Sequence, residues 1–141
     1  MLEKIRNSRQ KGVLMVEFVI VFPLFLLLLW LIIYFGMVFH DYNTVNQLAR
    51  EGARYGVVGN TDAAVTTAVV DKGQLTLTSL YAVQAGDVKI TRATDNTLND
   101  EKYLEIEIVA QRTNQGNEGI VESFLPNKLP AKVRMRVELE P

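Results

Sequence analysis

The most constraining feature of this chain is a run of 22 residues that carries no charge, Phe18–Phe39. As an α-helix rising about 1.5 Å per residue, it would be roughly 33 Å long, which matches a hydrocarbon core of about 30 Å. Residues 1–12 precede it with a net charge of +3, and no Lys or Arg follows it until Arg50. The sequence therefore predicts a membrane anchor, with the N-terminus in the cytoplasm and residues 40–141 outside.

A conventionally cleaved secretory signal peptide is the first alternative to an anchor. Its apolar region usually covers about 7–15 residues and ends in a small-x-small cleavage site. Here the apolar run is longer, and its exit reads YFGMVFHD without an Ala-x-Ala pattern. Pro23 lies inside the run, and an interior proline removes one backbone hydrogen bond. We expect a kink or a locally loosened helix near residues 19–23.

Glu17 is the residue that a plain anchor does not explain, because it stands at the start of the apolar run. An ionised carboxylate deep in a bilayer is costly, so it either lies near the headgroups or needs a cationic partner. Gly12 follows Lys11 and precedes the apolar run. Cleavage between Gly12 and Val13 would create an α-amine that is largely protonated near neutral pH. The Glu17 of one subunit could then pair with the Val13 amine of the next, which would fix the axial register of assembly.

The helical pattern continues beyond the membrane. Val45, Leu48, Ala49, Gly52, Tyr55 and Gly56 recur at the spacing of an amphipathic helix. Four small residues on this segment permit close approach of a neighbouring element: Ala49, Gly52, Ala53 and Gly56. The pattern leaves open whether that neighbour is the chain's own outer domain or another subunit. A turn at residues 56–60 ends the helix.

The remainder predicts a small α+β domain. Thr61 or Asp62 can cap a short helix over residues 63–70 that ends near Gly73. Residues 88–91, 104–108 and 133–140 alternate apolar and polar side chains, which indicates an antiparallel sheet with one solvated face. Residues 95–100 predict a hairpin loop. We expect the fold class α+β: a long N-terminal transmembrane and amphipathic helix with a small antiparallel sheet packed on its C-terminal half.

The expected organisation is a basic leader (1–12), a helix (13–59, of which 13–39 is transmembrane and 40–59 amphipathic) and an outer domain (60–141). If strands 103–109 and 132–140 are neighbours, Glu105 and Glu107 could face Arg134 and Arg136, although a solvated sheet face is favoured over specific pairs.

No catalytic constellation is evident. The chain has one His and no Cys, and its net charge of −1 argues against nucleic acid as a partner. His40 with Asp41 is the only imidazole–carboxylate pair in sequence, and it falls where interfacial polar residues are expected. Asp95, Asp100 and Glu101 flank one loop, where a solvated loop is favoured over a weak calcium site. We expect no enzyme activity, metal or cofactor.

Several segments resemble a known family. Residues 11–18 (KGVLMVEF) resemble the class III signal of type IV pilins, with cleavage after Gly12 and with Glu17 followed by an aromatic, Phe18. Residues 16–24 (VEFVIVFPL) and 43–55 (NTVNQLAREGARY) are similar to TadE-like proteins of the tight-adherence (Tad, or Flp) pilus system. Residues 133–138 resemble the family's closing strand. The likeness covers the N-terminal helix well and the outer domain only weakly.

The resemblance implies a structural subunit. It implies a type IV pilin-like fold, a prepilin peptidase that removes residues 1–12, and assembly with other pilin-like subunits in or at the base of a Tad-type pilus. The length favours a minor pilin or pseudopilin that resides in the inner membrane and then at the cell surface. The alternative is an uncleaved, single-span anchor that carries a recognition domain outside the cytoplasm.

Overall fold

The computed structural model of the chain describes residues 2–95, 101–113 and 125–137. Its elements, in chain order, are α1 (Leu2–Val57), α2 (Asp62–Thr76), β1 (Tyr81–Ala82), a 3-10 turn (Ala85–Asp87), β2 (Val88–Asp95), β3 (Glu101–Arg112) and β4 (Lys128–Arg136). Two compact units divide after Gly36: an N-terminal unit, Met1–Gly36, and an outer unit, Met37–Pro141. α1 contributes residues to both.

Helix α1 begins at Leu2, so the basic leader has a helical backbone. The helix continues through Pro23, and the assignment is helical over all of residues 19–23. The expected kink or loosening there stays a prediction. At the other end, α1 stops at Val57, as the glycine-rich turn predicts. Gly59 has φ +98°, a left-handed conformation that glycine adopts without a Cβ penalty.

Helix α2 is longer than the sequence predicts. Thr61 is its N-cap, and its hydroxyl accepts a hydrogen bond from Ala64 N at 3.3 Å. The expected end near Gly73 is wrong, because the helix continues to Thr76. Gly73 is buried inside the helix, and its carbonyl accepts the closing hydrogen bond from Leu77 N at 3.0 Å. This glycine is therefore an interior residue of α2 and does not stop the helix.

The sheet is antiparallel, with β3 at its centre. β1 and β2 pair with successive parts of one edge of β3, and β4 pairs with the other edge. The predicted strands are confirmed in type, although β3 is longer and β4 begins at Lys128, where the sequence predicts 133. β1 was not predicted. Residues 138–140 of the expected last strand lie outside the described residues, as do residues 96–100 of the expected hairpin loop.

One face of the sheet is buried against α1 and α2. Alternate side chains of β3 are fully buried: Leu104, Ile106, Ile108 and Ala110 are each 0% exposed. This alternation gives the sheet one packed and one solvated face, as its period of two predicts. The α+β fold with a small antiparallel sheet packed on the C-terminal part of the long helix is confirmed.

The stripe of α1 that faces the sheet differs from the prediction at one position. Val45, Leu48 and Ala49 are buried, as expected, but Tyr55 is 45% exposed. Tyr55 lies at the margin of the stripe, where it lines a groove between α1 and α2. Ala53 is 0% exposed and completes the buried face in its place.

The register of β3 and β4 corrects the expected charge pairs. Glu105 stands opposite Arg134, as predicted, but Glu107 stands opposite Lys132 rather than Arg136. Arg136 is instead paired in register with Tyr103. The expected pairing was therefore right for one acid and wrong for the other.

The side chains of this face pair diagonally as well. Lys132 Nζ lies 2.8 Å from Glu105 Oε1, and this hydrogen bond raises the pKa of Lys132. The guanidinium carbon of Arg134 lies 3.5 Å from the ring centroid of Tyr103, a cation–π arrangement. The solvated face of the sheet thus carries an ion pair and a cation–π contact between β3 and β4.

Candidate assembly site: an exposed apolar helix with one carboxylate

The surface of residues 15–33 in the N-terminal unit is almost entirely apolar. Every residue from 15 to 33 is exposed, with Phe18 at 64%, Leu24 at 67% and Ile32 at 61%. Within Met15–Val57 the mean hydropathy of an 18-residue stretch reaches 2.9, and none of that stretch is buried in the fold. A helix of this length and composition can cross a membrane. Its apolar side chains are left for lipid or for other proteins to cover.

Glu17 is the carboxylate on this apolar surface, and it is exposed. Among the side chains that the structure describes, none forms a hydrogen bond or an ion pair with it. Next to it, Phe18 stacks on Phe22 with ring centroids 5.2 Å apart and an angle of 22° between the planes. Glu17 therefore lies at the edge of an aromatic patch, where a cationic group from outside the chain can reach it.

The candidate cleavage residues Gly12 and Val13 have a helical backbone within α1. Gly12 has no side chain, and the side chain of Val13 falls outside the described part of the chain. Val13 precedes Glu17 by four residues, so in a helix the two positions are separated by about one turn, roughly 6 Å along the axis. After cleavage at Gly12, a new Val13 amine could therefore pair with the Glu17 carboxylate of its own chain or of a neighbouring subunit.

The four small residues of the amphipathic segment are covered by the chain's own outer unit. Ala49 and Ala53 are 0% exposed. A Cβ placed on Gly52 would lie 2.8 Å from Val69 Cγ2, and one placed on Gly56 would lie 2.5 Å from Leu104 Cδ2. Of the two neighbours that the sequence left open, the outer domain is the one that occupies this face.

Asp41 is the residue that sequence reasoning missed. It is 0% exposed, and its Oδ1 accepts a hydrogen bond from Thr78 N at 2.8 Å. Its Oδ2 accepts a second bond from the hydroxyl of Thr78. We call this pair the Asp41–Thr78 clasp. The two residues are 37 positions apart, and no sequence pattern links them. Asp41 had been expected only to mark the membrane interface.

His40 makes a structural contact of the same kind. Its Nε2 donates to the carbonyl oxygen of Thr76 at 3.3 Å, and its own carbonyl accepts from the hydroxyl of Thr44 at 2.9 Å. Over the described ranges no group of three His, Asp or Glu side chains converges as metal ligands would. The acids of the candidate calcium loop, Asp95, Asp100 and Glu101, have no described side chains.

The described residues of α1 and α2 line a groove in the outer unit. Its volume is about 170 Å³, and Glu51 and Lys72 form an ion pair across its rim. Apart from Tyr55, the remaining lining is Leu48, Gly52, Ala68 and Val69. Apart from the ion pair at its rim, the groove is therefore lined mainly by small and apolar residues.

Comparison with known proteins identifies the N-terminal part of the chain. Residues 12–54 match the model of the family described as TadE-like protein. No curated protein and no solved structure matches the chain. The family match begins at the candidate cleavage glycine and ends within the amphipathic segment, so it covers neither α2 nor the sheet. The match confirms the resemblance that the N-terminal helix shows in its sequence, and it suggests a pilin-like, membrane-associated protein of a Tad pilus system: over residues 12–54, this chain is similar to TadE-like proteins.

Proposed function

We propose that this chain is a minor pilin or pseudopilin of a Tad-type pilus, a structural subunit rather than an enzyme. The observation that carries the proposal is the exposed apolar surface of residues 15–33 with the single carboxylate of Glu17 upon it. A surface of this kind is stable only when it is covered. Lipid covers it before assembly, and the equivalent helices of other pilin-like subunits cover it afterwards.

Processing is the first step of the proposal. The chain is made as a prepilin, inserted with residues 1–12 in the cytoplasm, and cut by a prepilin peptidase between Gly12 and Val13. The net charge of +3 on the leader supports this orientation. Removal of the leader takes away its four basic residues and leaves one new ammonium group at Val13, four positions before Glu17.

Register is the second step. In an apolar surrounding, an unpaired carboxylate is penalised by several kcal/mol, and a matched ammonium group removes much of that penalty. Glu17 of one subunit therefore favours the axial position at which it meets the Val13 amine of its neighbour. Phe18, which is exposed and stacked on Phe22, adds an aromatic surface beside this contact.

Processing is tested by measuring the intact mass of the protein after co-expression with a prepilin peptidase. We expect loss of residues 1–12 from the wild type and retention of them in Gly12→Ala. Gly36→Ala is the matched control: it adds the same methyl group in the same helix, where nothing lies within 4 Å, and it should be processed normally. Retention of the leader in the native host would instead favour an uncleaved membrane anchor with a recognition domain.

Register is tested with Glu17→Gln, which removes the charge and keeps the shape. We expect normal insertion and cleavage but no incorporation into pili, judged by immunoblotting of sheared pilus fractions. Glu51→Gln is the control, since it neutralises an exposed acid of α1 that pairs with Lys72. Normal incorporation of Glu17→Gln would disprove the proposed pairing.

A further inference from the structure

Helix α2 packs beside the outer-unit part of α1 and runs in the opposite direction. The contacts follow one another in reverse order along the two helices. Gly56 and Gly52 of α1 lie near Val65 of α2, and Gly52 also lies near Val69. Farther along α2, Gly73 lies near Leu48 of α1. The two segments form a helical hairpin whose second arm returns toward residue 40.

The C-terminal end of α2 is therefore held at the level of residues 40 and 41. His40 Nε2 donates to Thr76 O at 3.3 Å, and the Asp41–Thr78 clasp fixes the residues that follow the helix. In the sequence, the uncharged run ends at Phe39. If Phe18–Phe39 crosses the bilayer, the last turn of α2 lies at the membrane surface.

Exposed apolar side chains are concentrated at this level. Leu75 is 85% exposed, the highest value among the described large apolar residues of the outer unit, and Phe39 is 67% and Tyr42 46% exposed. The buried residues of α2 are Val65, Val69 and Gly73. Leu75 follows Gly73 by two positions, about 200° around the helix, so it lies on the side of α2 away from its packed face.

The dimensions and charges at this level fit a lipid surface. The headgroup region adds about 5–7 Å to each side of the hydrocarbon core, and Tyr42 lies three residues, about 4.5 Å, beyond Phe39. The ionisable residues of α2 nearest to Leu75 are Asp71 and Lys72, one of each sign. The charges of these two residues offset each other, and the carboxylate of Asp41, between Phe39 and Tyr42, is 0% exposed. Aromatic side chains favour the interfacial zone.

We propose that Phe39, Tyr42 and Leu75 form a membrane-resting rim, which inserts into the interfacial zone of a phospholipid bilayer and seats the outer unit on it. The inference rests on the proposed function in one respect, that Phe18–Phe39 spans the membrane. The Asp41–Thr78 clasp holds the two parts of the rim, on α1 and α2, at one level. Before assembly the outer unit is thus attached to the membrane at two places, by its helix and by the end of α2.

The experiment uses the full chain in nanodiscs of phosphatidylcholine. Because the chain contains no Cys, single cysteines can carry an environment-sensitive fluorophore without background labelling. The reporter is Gln74→Cys, which keeps Leu75 in place. Val58→Cys is the control on the outer unit, since Val58 is 82% exposed beyond the far end of α1. Phe25→Cys reports on the apolar run itself.

We expect lipids that carry a headgroup-proximal spin label to quench the fluorophore at residue 74 and to leave that at residue 58 unquenched. Adding Leu75→Asp should abolish the quenching at residue 74 without affecting the fold, because Leu75 is exposed. If lipids with a spin label in mid-chain quench residue 25 but residue 74 is never quenched, the rim is disproved while the span stands.

Other outcomes are equally distinct. Absence of lipid quenching at residue 25 would mean that the apolar run does not span the bilayer, and the proposed function would fail with it. Persistent quenching at residue 74 in Leu75→Asp would show that Leu75 does not seat the unit. Shielding of residue 74 only in discs that hold two copies would show that a neighbouring chain covers the rim, and would overturn the lipid assignment.

Discussion

Gly52 is one of two glycines at which α1 closely approaches its neighbours, and the effect of adding a side chain there can be worked out from the structure. In Gly52→Ala, the new Cβ would lie 2.8 Å from Val69 Cγ2 and 3.3 Å from Ile106 Cδ1, whereas ordinary contacts begin at 3.4 Å. Val69 is 3% and Ile106 0% exposed, so both side chains that would have to shift are buried. Overpacking of this kind costs about 1–3 kcal/mol.

An opposing effect must be subtracted. Alanine stabilises a helix interior by about 1 kcal/mol relative to glycine. The net expectation for Gly52→Ala is a loss of about 1 kcal/mol in the free energy of unfolding, with an upper bound of about 2 kcal/mol. At roughly 4 °C or more per kcal/mol for a unit of this size, the Tm should fall by about 4–8 °C.

Gly73→Ala is the matched control because the same change occurs in a buried glycine of the other helix. There the nearest atom to the new Cβ is Leu48 Cδ1 at 3.5 Å, which is an ordinary contact. Only the helix-propensity gain remains, so Gly73→Ala should raise the free energy of unfolding by about 0.5–1 kcal/mol. The two glycine-to-alanine changes are therefore expected to have opposite signs.

The measurement is urea unfolding of the full-length protein in a mild detergent, followed by near-UV circular dichroism of the tyrosines. Tyr81 is a suitable reporter, since it is 2% exposed and its hydroxyl donates to Pro126 O at 2.8 Å. A Gly52→Ala protein as stable as Gly73→Ala would refute the close packing of α1 on α2 and the sheet. Unchanged stability combined with lost pilus incorporation would show that Gly52 faces another subunit.

Three further predictions concern the outer unit. Asp41→Ala should lower the free energy of unfolding by about 1–3 kcal/mol, because Thr78 N–H loses its acceptor. Asp41→Asn keeps an acceptor oxygen, so its free energy of unfolding should fall by less. Equal losses of the two variants in urea titrations would contradict this. Thr61→Ala removes the N-cap of α2 and should cost about 1 kcal/mol, with Thr61→Ser retaining most of the stability in the same assay. The hydrogen bond to Glu105 raises the pKa of Lys132 above its ordinary 10.5. The contribution of this ion pair to stability is therefore complete below pH 10.5, and it disappears as the pH rises through the raised pKa because Lys132 loses its charge. The stabilities of wild type and Lys132→Gln should therefore converge in strongly alkaline buffer, and a gap that does not narrow would count against the ion pair.

The parts of the fold that could be predicted from the sequence are those set by local periodicity. The uncharged run, the amphipathic stripe and the alternation of residues 104–108 each depend on neighbours within about ten positions. The turn after Val57 has a local cause too, since Gly59 supplies the positive φ.

The features that the sequence did not predict depend on partners far away along the chain. The Asp41–Thr78 clasp joins residues 37 positions apart. The continuation of α2 past Gly73 places this glycine against Leu48 and Val83, which are 25 and 10 positions away. The pairing of Glu107 with Lys132 depends on the register of β3 and β4. A shift of that register by two residues would leave the same side chains on the buried face, so the hydrophobic pattern alone does not fix it.

The candidate site shows the same division. Glu17 could be singled out from sequence, because a charge within an apolar run is conspicuous and expensive. The partner of Glu17 belongs to a different chain in the proposed assembly, so the structure of a single subunit leaves the pairing a prediction. The rim at Leu75 was not evident from sequence, because its position relative to the membrane depends on the direction of α2.

The buried glycines of α1 have a consequence for how such subunits diversify. At Gly52 and Gly56 the bulk that fills the interface comes from Val69, Ile106 and Leu104, all outside the helix. A helix that presents almost no side chain there imposes few shape requirements of its own. Domains of unrelated sequence could dock on it if they bring branched aliphatic groups to those two points. The helix would then present the same two-point docking surface to any domain that meets this requirement.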